Sequence, residues 1–344
     1  MIKRVFLFIL LALVALSGVH LWVYNAYEIE QYPIPAQVKF DDYIRTDYRG
    51  RIDAEKPEVI ILGDSAVRNV DEDVFSNSAG RKTMLFSTPG SASAYWYLFI
   101  RNVLYPASHR PEYFILFFRE TSLTIPDYLV LGDYFSRIDE IALPEDADVY
   151  HLAVNLRKGR LERFAERFIP LFTYRSEIYL NTITWFRNLI PNWLLGLEAD
   201  EVSAAYDAVF DDEHINDLLW EEFQLNVDAS LYEQEEFEFA DQVTASFLPA
   251  MVRDLRSMGI TPVFVRVRYR SHAEGEPDSR EMMEYLQSLE KYLLSRGAVF
   301  IDMSTAEGLT TDMYTDNFHL DADRAGEFSR VMAEEILPFL SEQD

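Results

Sequence analysis

Three short stretches of this chain carry the residue types that nucleophilic catalysis needs. The first is Gly63-Asp64-Ser65. A glycine permits a tight turn, and a serine placed at the helix start that follows has an exposed hydroxyl beside unpaired backbone amides. The same residues also read as an ordinary helix cap, because Ser and Asp are common there. The second stretch is Thr88-Pro89-Gly90-Ser91, where Gly90 would let the backbone approach a ligand and offer an N–H; a simple turn is the plainer reading. The third is Asp316-Asn317-Phe318-His319. An Asp three residues before a His can hydrogen-bond one imidazole nitrogen and leave the other to take a proton from a serine. By itself that stretch also fits a surface or capping histidine. The conjunction, Gly-Asp-Ser early and Asp-x-x-His late, says more than either part.

For these residues to meet, the elements carrying them must converge. Apolar runs at Glu58–Leu62, Thr83–Ser87, Tyr113–Phe118, Pro262–Val267 and Ala298–Ile301 predict strands buried on both faces. Helical patterns cover Ala94–Leu104, Phe247–Met258, Arg280–Ser295 and Ala325–Leu340, with Gly259 and Gly297 closing the second and third. Strands alternating with helices imply an α/β fold with a parallel sheet covered on both faces. Ligands bind such sheets beyond the carboxyl ends of the strands, where the first two motifs fall. Between Phe118 and Pro262 no strand run is evident, and helices are expected at Leu161–Phe168, Glu177–Leu189, Ala199–Val209 and Ile215–Phe223. This predicts a large helical insertion at about 126–245 that caps or extends the ligand edge. Its acidic run, Glu233 to Glu238, reads as a solvated face, and its Trp185-Phe186 and Trp193–Leu195 cluster as core rather than membrane contact.

Residues 57–125 and 245–340 together resemble the SGNH/GDSL hydrolase superfamily. The resemblance implies a flavodoxin-like three-layer α/β/α domain spanning 57–344, with Ser65 as nucleophile and Asp316 and His319 completing the triad. It also implies that the amides of Ser65 and Gly90 hold the oxyanion. One block departs. Where the family has Gly-x-Asn-Asp after the third strand, with the Asn as an oxyanion donor, this chain reads Phe118-Arg119-Glu120-Thr121-Ser122. Loss of one such donor can cost about 3 kcal/mol of transition-state stabilisation, so either Arg119 or Thr121 substitutes, or the site is weakened. Arg119 could equally pair with Glu120 or a carboxylate of the insertion. Arg266, Arg268 and Arg270 alternate, which places them on one face of the fourth strand and its continuation. Arg119 and Arg268 are thus candidates for an anion-binding wall facing a substrate carboxylate or phosphate, with pairing to acidic residues as the alternative.

Composition narrows the function classes. The 344 residues carry 31 Lys and Arg against 58 Asp and Glu, a net charge of −27, which argues against a nucleic-acid partner. Cysteine is absent, which excludes disulfides, thiolate nucleophiles and cysteine-ligated clusters. The histidines show no metal-ligand spacing and no phosphate-binding glycine motif occurs, so no metal or nucleotide cofactor is expected. Residues 1–24 open with Lys3 and Arg4 and run uncharged from Val5 to Val23, which predicts a transmembrane anchor with the bulk of the chain outside the inner membrane. A signal peptide cleaved after Ser17 is the competing reading. Residues 25–56 then read as a stalk. Together these features and the resemblance lead to an expectation of a tethered serine esterase or O-acyltransferase on acyl esters of an envelope glycan, with a membrane-bound O-acyltransferase as partner. A catalytically reduced scaffold subunit of an envelope complex is the alternative.

Overall fold

The computed structural model describes residues 42–126 and 239–341 without interruption, and separate positions between 6 and 22 and between 138 and 169. The chain groups into two compact units, Met1–Val38 with Asn155–Glu233, and Lys39–Val154 with Gln234–Asp344. The second unit contains five parallel strands: β1 (Val59–Gly63), β2 (Thr83–Ser87), β3 (Tyr113–Phe118), β4 (Thr261–Arg266) and β5 (Val299–Asp302). Their order is β2-β1-β3-β4-β5. The chain therefore reverses direction across the sheet between β1 and β3, leaving a crevice beyond their carboxyl ends.

Successive side chains of a strand point to opposite faces, so a strand between two helical layers must be apolar throughout. β1 and β3 meet that condition, being buried at every position. Ile60, Leu62, Phe114, Leu116 and Phe264 join one core with α1 (Asp42–Glu55), α3 (Ser93–Leu98), α4 (Leu248–Ser257) and α5 (Arg280–Leu294). On the other face α2 (Glu72–Ala79) packs against α6 (Ala325–Ser341), and the Tyr113 hydroxyl donates to the Leu340 carbonyl at 2.6 Å. An α/β sheet with helices on both faces is the fold that the strand runs predict.

Several elements differ from the sequence expectation. The second half of the expected stalk is α1, which lays Ile44, Tyr48 and Ile52 against the core; the Tyr48 ring lies 4.8 Å from that of Phe86. α2 was not expected, although Asp71 caps it by accepting from the Val74 amide and Gly80 closes it at φ 63°. The expected helix Ala94–Leu104 is α3 followed by a π-helical turn at Phe99–Leu104, whose Phe99, Ile100, Val103 and Leu104 are all fully buried. The end of the expected insertion, the short helix Phe239–Thr244, belongs to the second unit and packs Phe239 on Tyr285.

Of the insertion helices, Leu161, Phe164 and Ala165 are helical, while Glu177–Leu189, Ala199–Val209 and Ile215–Phe223 lie outside the described residues, as does the acidic run. Near the start of the chain Phe6, Leu10, Val14–Val19, Leu21 and Trp22 are helical and exposed. Among the described residues no helix is long and apolar enough to cross a membrane; the other positions of the segment 5–23, where a transmembrane helix is expected, lie outside the described residues.

Candidate active site

β1 ends at Gly63, and its backbone is too crowded for a side chain. A Cβ there would stand 2.6 Å from Val67 Cγ2 and 3.3 Å from Phe117 Cβ. The next residue, Asp64, turns the chain and caps a 3₁₀ turn at Ser65–Val67 by accepting from the Ala66 amide at 2.9 Å. This leaves Ser65 half-buried at the carboxyl edge of the sheet. The loop after β2 is tied alongside: the Thr88 amide donates to the Gly63 carbonyl at 3.0 Å, and the Ser87 hydroxyl to the Asp64 carbonyl at 2.8 Å. Gly90 in that loop has φ 73°, a conformation that strains any residue with a Cβ. Among the described residues, neither the Ser65 nor the Gly90 amide is used in a hydrogen bond.

The second half of the site is a tight loop before α6. Tyr314 and Leu320 form an antiparallel bridge, and the Thr315 amide donates to the His319 carbonyl at 2.9 Å. Inside the loop Asp316 Oδ1 accepts from the amides of Phe318 and His319, both at 2.7 Å. Its Oδ2 lies 2.6 Å from His319 Nδ1, and His319 Nε2 lies 2.8 Å from Ser65 Oγ. Burial pushes the Asp316 carboxyl upward, but the imidazole and the two amides outweigh it, and the group titrates below the ordinary carboxylate value. An ionised Asp316 fixes the proton on Nδ1, so Nε2 presents its lone pair to the Ser65 hydroxyl. Asn69, just beyond the Ser65 turn, donates its amide to the Leu320 carbonyl at 2.7 Å and couples the two halves directly.

Sequence reasoning thus brings together Ser65, Asp316 and His319, with Gly90 in the adjoining loop. The arginine wall needs correction. Arg119 reaches back to the nucleophile turn: its Nη2 lies 2.5 Å from Asp64 Oδ2, with both side chains about 95% buried, while Glu120 lies 3.6 Å from Arg266. Its guanidinium also covers the Phe318 ring at 5.4 Å. A cation neutralised this way braces the nucleophile turn against the histidine loop and does not offer a free charge to substrate. Thr121 is buried in the turn after β3, where its carbonyl accepts from the Thr124 amide at 2.9 Å. Arg270 is exposed and pairs with Glu274 at 3.0 Å. Arg268 is half-buried and lines a small apolar cavity with Ala66, Tyr314 and Phe318; its Nη2 donates to the His272 carbonyl at 3.4 Å. No carboxylate lies within ion-pair distance of Arg268 among the described residues.

The sequence reading missed the arrangement around Arg266, the last residue of β4. Fully buried, it grips Asp278 with both Nη atoms at 2.7 and 2.5 Å, and reaches Asp302 at 3.3 Å and Glu120 at 3.6 Å. Glu120 holds φ 42° in the turn after β3. A lone arginine at the end of an otherwise apolar strand was the signal that could have exposed this node, since a buried charge requires a partner. Among the described residues no group of three or more His, Cys, Asp or Glu side chains could hold a metal ion. Set against family models and curated proteins, the chain matches none.

Proposed function

We propose that this protein is a serine esterase or O-acyltransferase of the SGNH type, acting on acyl esters of an envelope glycan or related cell-surface molecule. The observation that carries the reading is the unbroken line from Ser65 Oγ through His319 to Asp316, at 2.8 and 2.6 Å. The strand order 2-1-3-4-5, that of flavodoxin-like domains, supports the resemblance, with Ser65 beside the reversal between β1 and β3.

In this reading His319 Nε2 accepts the Ser65 proton as Oγ attacks the ester carbonyl. The tetrahedral oxyanion is held by the amides of Ser65 and Gly90, neither of which is used in a hydrogen bond among the described residues. Asp316 stays ionised and stabilises the imidazolium. Collapse breaks the ester bond, and the departing alkoxide takes the proton from His319. The acyl group on Ser65 then passes to water or to a sugar hydroxyl, whose proton His319 accepts. Thr121 and Arg268 remain the residues proposed to meet substrate, with Arg268 offering its charge to an anionic group. The uncharged segment 5–23, exposed wherever it is described, is proposed to tether the chain to the inner membrane with its bulk on the outer side. A membrane-bound O-acyltransferase would supply acyl groups there.

One observation favours a second reading, a catalytically reduced scaffold subunit. Arg119, which stands where the resemblance expects an oxyanion-donating Asn, is spent on Asp64. A serine-reactive fluorophosphonate probe separates the two. Labelling of the wild type and none of Ser65→Ala is the outcome expected of an enzyme; an unlabelled wild type favours the scaffold.

A further inference from the structure

The histidine loop is held on its far side by the segment that follows β4. The Arg270 amide donates to the Asn317 carbonyl at 3.0 Å, and the Ser271 amide donates to Asn317 Oδ1 at 3.1 Å. Asn317 is exposed, yet both of its acceptors point back into the protein at the first turn of the short helix Arg270–Ala273. The neighbouring contacts run the same way. Tyr269 meets the Phe318 ring edge-on at 5.0 Å, and the Tyr314 hydroxyl donates to the Arg268 carbonyl at 3.0 Å. The segment is itself anchored at its end, where the buried Arg266 holds Asp278 and His272 Nε2 lies 3.3 Å from the same carboxylate. Since the Tyr269 amide donates to His272 Nδ1 at 3.3 Å, the proton of the neutral ring sits on Nε2 and faces Asp278.

We propose that Asn317 is a positioning residue for the triad: it transmits the placement of the post-β4 segment to Asp316 and His319 on either side of it. Its backbone lies between the carboxylate and the imidazole, so a shift of Asn317 turns both. The Asp316 turn alone closes the loop through local amides, but nothing local fixes how that loop sits over Ser65. Asn69 does so from the nucleophile side, and Asn317 does so from the β4 side. This inference rests on the nucleophilic reading of Ser65 for its kinetic consequence, and on geometry alone for its structural one.

The test compares Asn317→Ala, which loses the side-chain acceptor, with Asn317→Asp, which keeps an oxygen in its place. The rate of fluorophosphonate labelling at Ser65 is expected to fall about tenfold or more in Asn317→Ala, because an ångström-scale misplacement of a reacting group is that costly. Asn317→Asp is expected to stay within about threefold of wild type, and thermal midpoints of the two variants to agree within about 2 °C, as for most exposed substitutions. Wild-type labelling rates in Asn317→Ala overturn the inference and leave the enzyme reading standing. Equal slowing in both variants also overturns it, since the Oδ1 contact then does not matter. Should the wild type not label, the downfield proton resonance of the His319 Nδ1–H bonded to Asp316 decides instead. Its loss or displacement in Asn317→Ala alone supports the positioning role, and an unmoved signal overturns it.

Discussion

Gly63 and Asp316 carry the site for different reasons, one by what it lacks and the other by what it holds. A methyl group on Gly63 meets Val67 and Phe117 below van der Waals distance. Gly63→Ala is therefore expected to destabilise the domain by about 1–3 kcal/mol and to displace the Ser65 turn. Adding Val67→Ala removes the closer clash, so the double variant should lose less than the sum of the two single changes, as denaturant midpoints would read. Asp316→Asn keeps the shape of the loop but reverses its hydrogen-bond demand on Nδ1, and labelling of Ser65 is expected to fall by several powers of ten, on the order of 10⁴ where the tautomer is lost. A fall of less than tenfold would remove Asp316 from its role. These residues were legible because their types and order are rare together, and because a strand and a turn place them without help. Arg119 and Asp64 were not legible as a pair. They lie just beyond the ends of neighbouring strands and far apart in sequence, and each had a nearer carboxylate or amide to choose.

At the scale of elements, the sheet stands on apolar strands, and its polar edge on two buried arginines. Arg266 has its positive form reinforced: burial opposes it, yet Asp278, Glu120 and Asp302 raise its pKa far beyond the usual guanidinium value. Asp278 is affected in the opposite sense. Burial raises it, but His272 and Arg266 together hold it far below the ordinary carboxylate range. A carboxylate depressed in the folded state contributes stability that is complete above its unfolded pKa, about 4, and is lost as pH falls toward the folded value. Asp278→Asn is therefore expected to cost about 3–5 kcal/mol at neutral pH, where it leaves Arg266 short of a counter-charge. The gap to wild type should narrow as pH falls below about 4. Urea midpoints measured from pH 7 down to pH 3 check both parts, and a gap that holds constant with pH would reject the assignment. Breaking the Arg119–Asp64 pair by Arg119→Met is expected to cost a similar amount, about 3–5 kcal/mol, with part of it recovered when Asp64→Asn is added. Strands were easy to read because burial on both faces demands uninterrupted apolar runs. α1 was harder, because its stripe is one residue wide, Ile44, Tyr48 and Ile52, amid arginines and acids. The π-helical turn left no mark in the sequence pattern, since Phe99 to Leu104 is apolar enough for either geometry.

For the molecule as a whole, the net charge of −27 bears on how it could be held at a membrane. Anionic headgroups repel such a surface, and no basic cluster beyond Lys3 and Arg4 is available at the start of the chain to offset that. If the protein works at a membrane, apolar insertion must supply the attachment. The uncharged residues from Val5 to Val23 would span about 28 Å as a helix, close to the thickness of a hydrocarbon core. Attachment of that kind is insensitive to salt, whereas electrostatic docking weakens within a Debye length of about 10 Å at 0.1 M. The full chain is therefore expected to stay with sedimented membranes through washes in 1 M salt, and a chain lacking residues 1–24 to stay in the supernatant. Removing the segment should leave Ser65 labelling and hydrolysis of a water-soluble p-nitrophenyl ester unchanged. Turnover of an acyl ester embedded in vesicles should slow by about tenfold or more, because tethering sets the effective concentration of the domain at the donor. Release of the full chain by salt, or a mature mass that begins after Ser17, would end the tethering argument while leaving the chemistry of Ser65 untouched.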